Sequence, residues 1–411
     1  MIPTLIVTSV DDMNIITKKQ IYTAFLLLPY FFAFTGMLVL DSGDKKLIPL
    51  ILVSIIISLF SLKIKVVKNN LSSPFIWLIL MTCIYAMFSY YYHGSSSREI
   101  RALIGSTLFL LIFPYKLLSK KIIRTLIFLG SITLCINSIY FNVYIGIERD
   151  AGYINPIPYA TIVALLATIA FSLLIENSNI KEKRLPFISF ILCIPPLILS
   201  EARGVWFAFS VTIFTVYIFR LIKRPQSKTQ VVSILLTSTL ILSFGGYLFK
   251  DKLSHRYYNT IEEIKKINEG NYETSIGFRI QMWELAPDLI QRKPILGHGQ
   301  HHEKILKERL EEQSISNSLY YFASSHYHNQ FIDKAVKSGF VGLILIIALL
   351  LYPLKKVTFM EEYEKYITIS FVTLLFTSGL TDVPFNHPQP LVIYLLFLVP
   401  ICSRCKRVTD D

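Results

Sequence analysis

The residues best suited to chemistry stand together at His326-Tyr327-His328-Asn329, followed after nine residues by Gly339-Phe340-Val341-Gly342. A neutral imidazole can take a proton from a hydroxyl near pH 7. Ser324 or Ser325 is suited to cap a helix beginning here, which predicts His328 in its first turn. The positive end of the helix dipole there disfavours an imidazolium and keeps a base available. Eleven residues make about three helical turns. His328 and Gly339 are therefore expected on one face, with Gly342 continuing it, and small residues at that spacing let a neighbouring helix approach closely. An ordinary surface histidine ahead of a glycine-bearing helix would read the same way, so the pattern needs partners.

Three charged residues could supply them. Arg203 stands in Ser200-Glu201-Ala202-Arg203-Gly204-Val205-Trp206, between two apolar stretches with almost no loop. An arginine at such depth costs up to about 3 kcal/mol unless it snorkels or pairs. Glu201 could pair with it, or its planar fork could face an anionic lipid head group. Arg279, in Gly277-Phe278-Arg279-Ile280-Gln281-Met282-Trp283, follows a glycine that can shape an anion-binding turn. The plainer alternative is a solvated arginine paired with Glu284 or Asp288. Asp382, in Thr381-Asp382-Val383-Pro384-Phe385, ends an apolar stretch on the same side and could orient an arginine or the histidine. His298, His301 and His302 have offsets seen in metal sites, but no carboxylate or cysteine completes a set, so no metal is expected. Cys402 and Cys405 form a single CxxC without a second pair, which points neither to zinc nor to a disulfide framework.

The elements that must position these residues are helices in a membrane. Of 411 residues 53% are hydrophobic and 17% charged, against about a quarter charged in soluble domains. Mean hydropathy is +0.51. The apolar residues come in blocks of about 20, the length a helix needs to cross a bilayer, and they do not alternate as barrel strands would. The expected fold is an all-α polytopic membrane protein with about twelve transmembrane helices, near 21–40, 47–62, 73–92, 102–118, 122–143, 155–175, 185–200, 204–222, 230–249, 334–353, 366–381 and 389–403. No cleavable signal peptide is expected, and the first block should serve as an uncleaved anchor. With the N-terminus inside, the inner loops gather Lys63, Lys65 and Lys68, then Lys116, Lys120, Lys121 and Arg124, and later Arg220, Lys223, Arg224 and Lys228. The outer short loops hold far fewer cations. That bias sets orientation and accounts for the net charge of +13 without nucleic acid.

The chain then divides into helices at 1–249, one large periplasmic loop at 250–333, and final helices with a short cytoplasmic tail at 334–411. Long loops of this kind usually carry function. All eight histidines fall on the outer side. Inside the loop, Leu253, Tyr257, Ile261 and Ile264 predict a surface or interfacial helix, and Phe278, Met282 and Leu285 a second, kinked or ended by Pro287. Gly297 and Gly299 predict a turn.

His328-Asn329, nine residues, Gly339, two residues and Gly342 together resemble the signature of O-antigen ligases, within a larger family that includes O-antigen polymerases and bacterial O-oligosaccharyltransferases. The resemblance covers roughly 200–390, including Gly277-x-Arg279-x3-Trp283 and Pro294-x2-Gly297-x-Gly299. It implies an enzyme of the bacterial inner membrane, with its site facing the periplasm, that transfers a glycan from undecaprenyl diphosphate. For a ligase the acceptor is an outer-core sugar of lipid A-core. It implies no metal, nucleotide or other cofactor. By matched position His328 is the catalytic base, Arg203 and Arg279 bind the diphosphate, and Asp382, Asn329, Gly339 and Gly342 support them. A polymerase or a protein glycosylase of the same family would use the same donor. A transporter is the rival of another class, and Pro195-Pro196 interrupting one span speaks for it; the clustering of polar groups at one face, away from the midplane, favours an enzyme.

Overall fold

The computed structural model describes residues 10–223, 247 and 250–404, and every regular element among them is helical. In chain order these are α1 Val10–Ala33, α2 Gly43–Leu71, α3 Pro74–His93, α4 Ser97–Ile112, α5 Lys120–Ser138, α6 Pro156–Ile175, α7 Ile180–Leu199, α8 Arg203–Lys223, α9 Lys250–Asn268, α10 Ser275–Arg292, α11 His302–Glu311, α12 Asn317–Ser325, α13 Gln330–Leu351, α14 Glu362–Gly379 and α15 Pro388–Arg404.

Six helical stretches are long and apolar enough to cross a membrane: Gln20–Val39, α3, Lys120–Tyr144, α6, α8 and Gln330–Phe359. A seventh is α2, if its bent halves Gly43–Ser61 and Ile64–Leu71 count as one span. The stretches read from sequence at 185–200, 366–381 and 389–403 also lie on helices to within two residues, whereas that at 102–118 stays on a helix only to Ile112 and then breaks at Phe113-Pro114. α4 and α15 are short, at 16 and 17 residues. α7 carries Pro186, Pro195 and Pro196 yet remains one helix, so the expected interruption at Pro195-Pro196 does not occur. The stretch 230–249 lies outside the described residues apart from Tyr247.

Two helices form the axis of the bundle. α6 is apolar all round and buried along nearly its whole length, as is α15 from Leu391 to Cys402. A helix without a polar face is stable only inside a larger assembly or in lipid. α5, α7, α8 and α14 surround α6, while α4 packs along α15, whose Tyr394 hydroxyl donates to the Leu349 carbonyl of α13 at 2.7 Å. Outward-facing Ile84, Phe214 and Ile344 are each more than 60% exposed, a pattern suited to hydrocarbon rather than water as solvent.

α9 to α12 form a cap over one end of the bundle. They have their own small core of Met282, Ala286, Leu289, Leu306, Leu319 and Ala323, which closes on Tyr327 and on Val336 of α13. The stripe at Phe278, Met282 and Leu285 faces this core as its spacing predicts. Pro287 does not end α10, which runs through it. The other stripe leaves Tyr257, Ile261 and Ile264 largely exposed on α9, as suits an interfacial helix.

Candidate active site

The histidine motif is held by the start of α13, but not as its spacing suggests. Ser324 and Ser325 end α12 rather than cap α13; Asn329 is the cap, and its Oδ1 accepts from the N–H groups of Phe331 and Ile332 at 3.0 and 3.1 Å. His328 therefore precedes the helix. Its φ of +46° is a left-handed conformation that few non-glycine residues adopt. Strain of this kind persists only where the surroundings impose it, and it concentrates at functional sites. Trp283 Nε1 donates to the Tyr327 carbonyl at 3.0 Å, Tyr327 N donates to Asp333 Oδ1 at 3.3 Å, and Lys337 Nζ reaches the Ser325 carbonyl at 2.6 Å.

Gly339 does not share a helical face with His328. It interrupts α13 with φ +60° and ψ −168°. The turn Pro294–Gly299 slots against this break. Phe340 N donates to the Pro294 carbonyl at 2.8 Å, and His298 N to the Val336 carbonyl at 2.9 Å, so backbone groups freed by the break are satisfied. A Cβ at either Gly297 or Gly339 would meet the other segment's backbone. The two glycine motifs thus explain each other: close backbone approach needs both. Gly342 lies against Tyr85 of α3, as a small residue at a helix contact should.

The last loop closes over this turn. Asn329 Nδ2 donates to the Leu380 carbonyl at 3.2 Å, Gln330 Oε1 accepts from Phe385 N at 2.8 Å, and Asn386 Nδ2 donates to Asp333 Oδ2 at 2.7 Å. These bonds deliver Asp382, only 4% exposed, to 3.4 Å between its Oδ1 and His328 Nδ1. That separation is long for a hydrogen bond but close enough for strong attraction to an imidazolium. Burial alone would raise the Asp382 pKa; the adjacent His328, His387 and His326 more than offset it, so the carboxyl titrates below its ordinary range. His326 lies 3.8 Å from the same oxygen, with its ring 4.1 Å from that of His328. Burial and then His328 push its pKa down to about 4, leaving it neutral.

The arginines approach from the other side. α8 begins at Arg203 because Glu201, with φ +51°, turns the chain out of α7. Arg203 donates to Thr260 Oγ1 at 2.7 Å and Glu263 Oε1 at 2.8 Å, not to Glu201, which instead faces Lys252 and Arg256 at 3.4 and 3.5 Å. The next residue, Gly204, leaves no room for a Cβ beside Thr381, the neighbour of Asp382. Arg279 pairs with neither Glu284 nor Asp288. Its Nη1 donates to the carbonyl and hydroxyl of Ser275 at 3.3 Å, and its buried Nε has no hydrogen-bond partner among the described residues. Burial lowers its pKa first; Asp382 opposes that, and Arg203 adds to it. Arg279 therefore feels both the Asp382 carboxylate and the Arg203 guanidinium.

A comparison of the chain with known families matches residues 188–347 to the model described as O-antigen ligase. These residues match a domain of the O-antigen ligase family. Among relatives, an uncharacterized protein of Haemophilus influenzae is 26% identical over 347 residues, covering 82% of this chain and 85% of that protein. Proteins of Rickettsia conorii and Rickettsia felis, each named "Putative polysaccharide ligase", are 22% and 24% identical. They match 52% and 47% of this chain, and the matches span only 48% and 45% of their own lengths. The ligase domain contains Arg203, Arg279, His328, Asn329, Gly339 and Gly342, whereas Asp382 lies beyond the matched residues and joins the site only through folding.

Several residues around the ligase-domain motif were not singled out by sequence. Arg256 and Arg149 add guanidinium groups beside Arg203: burial, then Arg149 and Arg203, lower the Arg256 pKa, and Arg149 Nε is buried without a partner among the described residues. Gln330, Asp333 and Asn386 do the positioning. His387 joins His326 and Asp382 in a group whose ligand atoms lie within 4.8 Å of one another, a spacing compatible with a metal ion. Since Asp382 is also the partner of His328, the two uses compete. Only the Asn-Gln polarity at an apolar helix start hinted at these residues. His298 and His302 belong to the cap's framework, bonded to the Leu289 and Gly299 carbonyls at 2.7 and 2.8 Å.

Proposed function

We propose that this protein is an inner-membrane O-antigen ligase, transferring polysaccharide from undecaprenyl diphosphate to an outer-core sugar of lipid A-core at the periplasmic face. The observation that carries this reading is the buried Asp382 beside His328 Nδ1, with Arg279 near enough to feel the charges of both Asp382 and Arg203. The ligase-family domain and the names of the Rickettsia relatives support it. In this topology both termini are cytoplasmic, about twelve helices span the membrane, and residues 250–333 lie outside.

The diphosphate is already a good leaving group. The reaction lacks a deprotonated acceptor and stabilisation of charge on the leaving oxygen. Asp382 holds Nδ1 of His328, which leaves Nε2 for the acceptor hydroxyl. As Nε2 takes that proton, the hydroxyl oxygen bonds to the anomeric carbon from the face opposite the diphosphate. The bond from that carbon to the diphosphate oxygen breaks with its electron pair on the diphosphate, and the configuration inverts. Arg279 and Arg203 bind the diphosphate as its charge grows. Fixed guanidinium groups supply the stabilisation that a metal supplies elsewhere.

A strain lacking the protein should accumulate polymerised O-antigen on undecaprenyl diphosphate and expose bare lipid A-core. Lipid A-core capped with one repeat unit would identify a polymerase instead. Donor left on the cytoplasmic face would identify a transporter. A second reading, in which a divalent ion on His326, Asp382 and His387 assists transfer, has their ligand spacing behind it. Loss of transfer by the purified protein in chelator, restored by one cation, would select it.

A further inference from the structure

A second built cavity lies at the other end of the bundle. α3, α13 and α15 each run from the histidine site to this end: α3 from His93 back to Pro74, α13 from Gln330 to Leu351, and α15 from Pro388 to Arg404. α3 alone has 20 residues, about 30 Å of helix, the thickness of a bilayer core. The cavity has a volume of about 570 Å³, within the range of roughly 300–1,000 Å³ typical of ligand sites. Its floor is fixed by Asn70, whose amide donates to the carbonyls of Leu110, Leu111 and Phe113 at the end of α4.

The lining is cationic. Lys116, Lys356 and Arg404 border it. Arg404 is engaged with Glu364 and the Leu118 carbonyl, each at 2.5 Å. Lys116 and Lys356 form no ion pair among the described residues. Tyr115, 8% exposed, also borders the cavity. Two ammonium groups without an ion pair among the described residues, held at the border of one cavity, favour an anionic occupant. The level is interfacial: Trp77, in the first turn of α3, is 55% exposed and donates its indole N–H to the Leu71 carbonyl at 2.8 Å. Tryptophan so placed marks a membrane boundary.

We infer that this cavity binds the phosphate headgroup of an anionic glycerophospholipid, drawn from the leaflet opposite the histidine site. Basic pockets between transmembrane helices recognise such headgroups, and the two ammonium groups supply donors for phosphate oxygens. Nothing in this inference depends on the glycan-transfer reading.

Native mass spectrometry of the purified full-length protein, titrated with phosphatidylglycerol and with phosphatidylcholine, tests it. The wild type should retain phosphatidylglycerol preferentially. Lys116→Ala with Lys356→Ala should weaken that retention roughly 10- to 30-fold. Lys355→Ala, a neighbouring cation that does not line the cavity, should leave it unchanged. Should the double alanine variant not be recovered folded, Lys116→Gln with Lys356→Gln gives the same readout with the side-chain stems kept. Wild-type retention in the double variant would overturn the site. So would an equal loss in Lys355→Ala, which would mark generic surface charge. Displacement of the lipid by millimolar inorganic phosphate would assign the cavity to a free anion and overturn the lipid source.

Discussion

Replacing Asp382 by asparagine keeps the shape of the buried side chain and removes its charge. In the proposed reaction His328 becomes positive as it accepts the acceptor proton, with Asp382 Oδ1 only 3.4 Å from its Nδ1. At an effective dielectric of about 20, unit charges at that distance attract by about 5 kcal/mol. The imidazole is partly open to solvent, with 15% of its side-chain surface exposed, and screening and rearrangement reduce the loss to about 3 kcal/mol. At 1.36 kcal/mol per decade, that is a fall of about two orders of magnitude in transfer rate. The assay is transfer by purified protein from a polyprenyl-diphosphate-linked donor to lipid A-core, followed by gel, with melting behaviour as the folding control. Asp382 is also ordinarily ionised with its pKa held below the usual range, so wild-type transfer should not decline through the carboxylate until strongly acidic pH. A well-folded Asp382→Asn variant within threefold of wild type would refute the pairing of Asp382 with the base.

His328→Ala should abolish transfer while the protein still inserts, and His301→Ala, at an exposed position, should be mild; equal damage from both would remove the general-base role. Arg203→Lys and Arg279→Lys should each lower transfer by roughly tenfold, because an ammonium cannot reproduce a planar fork, and full activity of both with purified donor would exclude them from the diphosphate. Gly339→Ala should destabilise the protein by about 1–3 kcal/mol, since it combines an unfavourable φ with collision against the Ile295 backbone; an unchanged melting temperature would contradict the observed break. Because burial holds His326 neutral with a pKa near 4, the unfolded chain binds its proton first as pH falls. Stability should therefore drop between about pH 6.5 and pH 4, and His326→Asn should flatten that decline in a thermal-unfolding series.

The helical membrane class was legible from the sequence because it rests on local quantities: block length, apolarity and the absence of alternation. The stripe at Met282 was legible as a buried face for the same reason, whereas His328, Arg203 and Arg279 drew their proposed roles from resemblance to a family motif. Other features were decided only by tertiary structure. The three-turn spacing from His328 to Gly339 presumed an unbroken helix; the Pro294–Gly299 segment, remote in sequence, breaks α13 at Gly339 and satisfies the freed backbone groups. Ser324 and Ser325 had the right chemistry to cap α13, yet Asn329 does so, because its side chain also bonds the Leu380 carbonyl and ties the turn to the Asp382 loop. Arg279 had nearby carboxylates in sequence, but folding withholds them and leaves its guanidinium on Ser275, within the electrostatic reach of Asp382 and Arg203. Periodicity and capping describe what a segment can do alone. Which donor meets which acceptor across fifty residues of chain depends on how helices pack, and that packing sets the distance between Asp382 and His328.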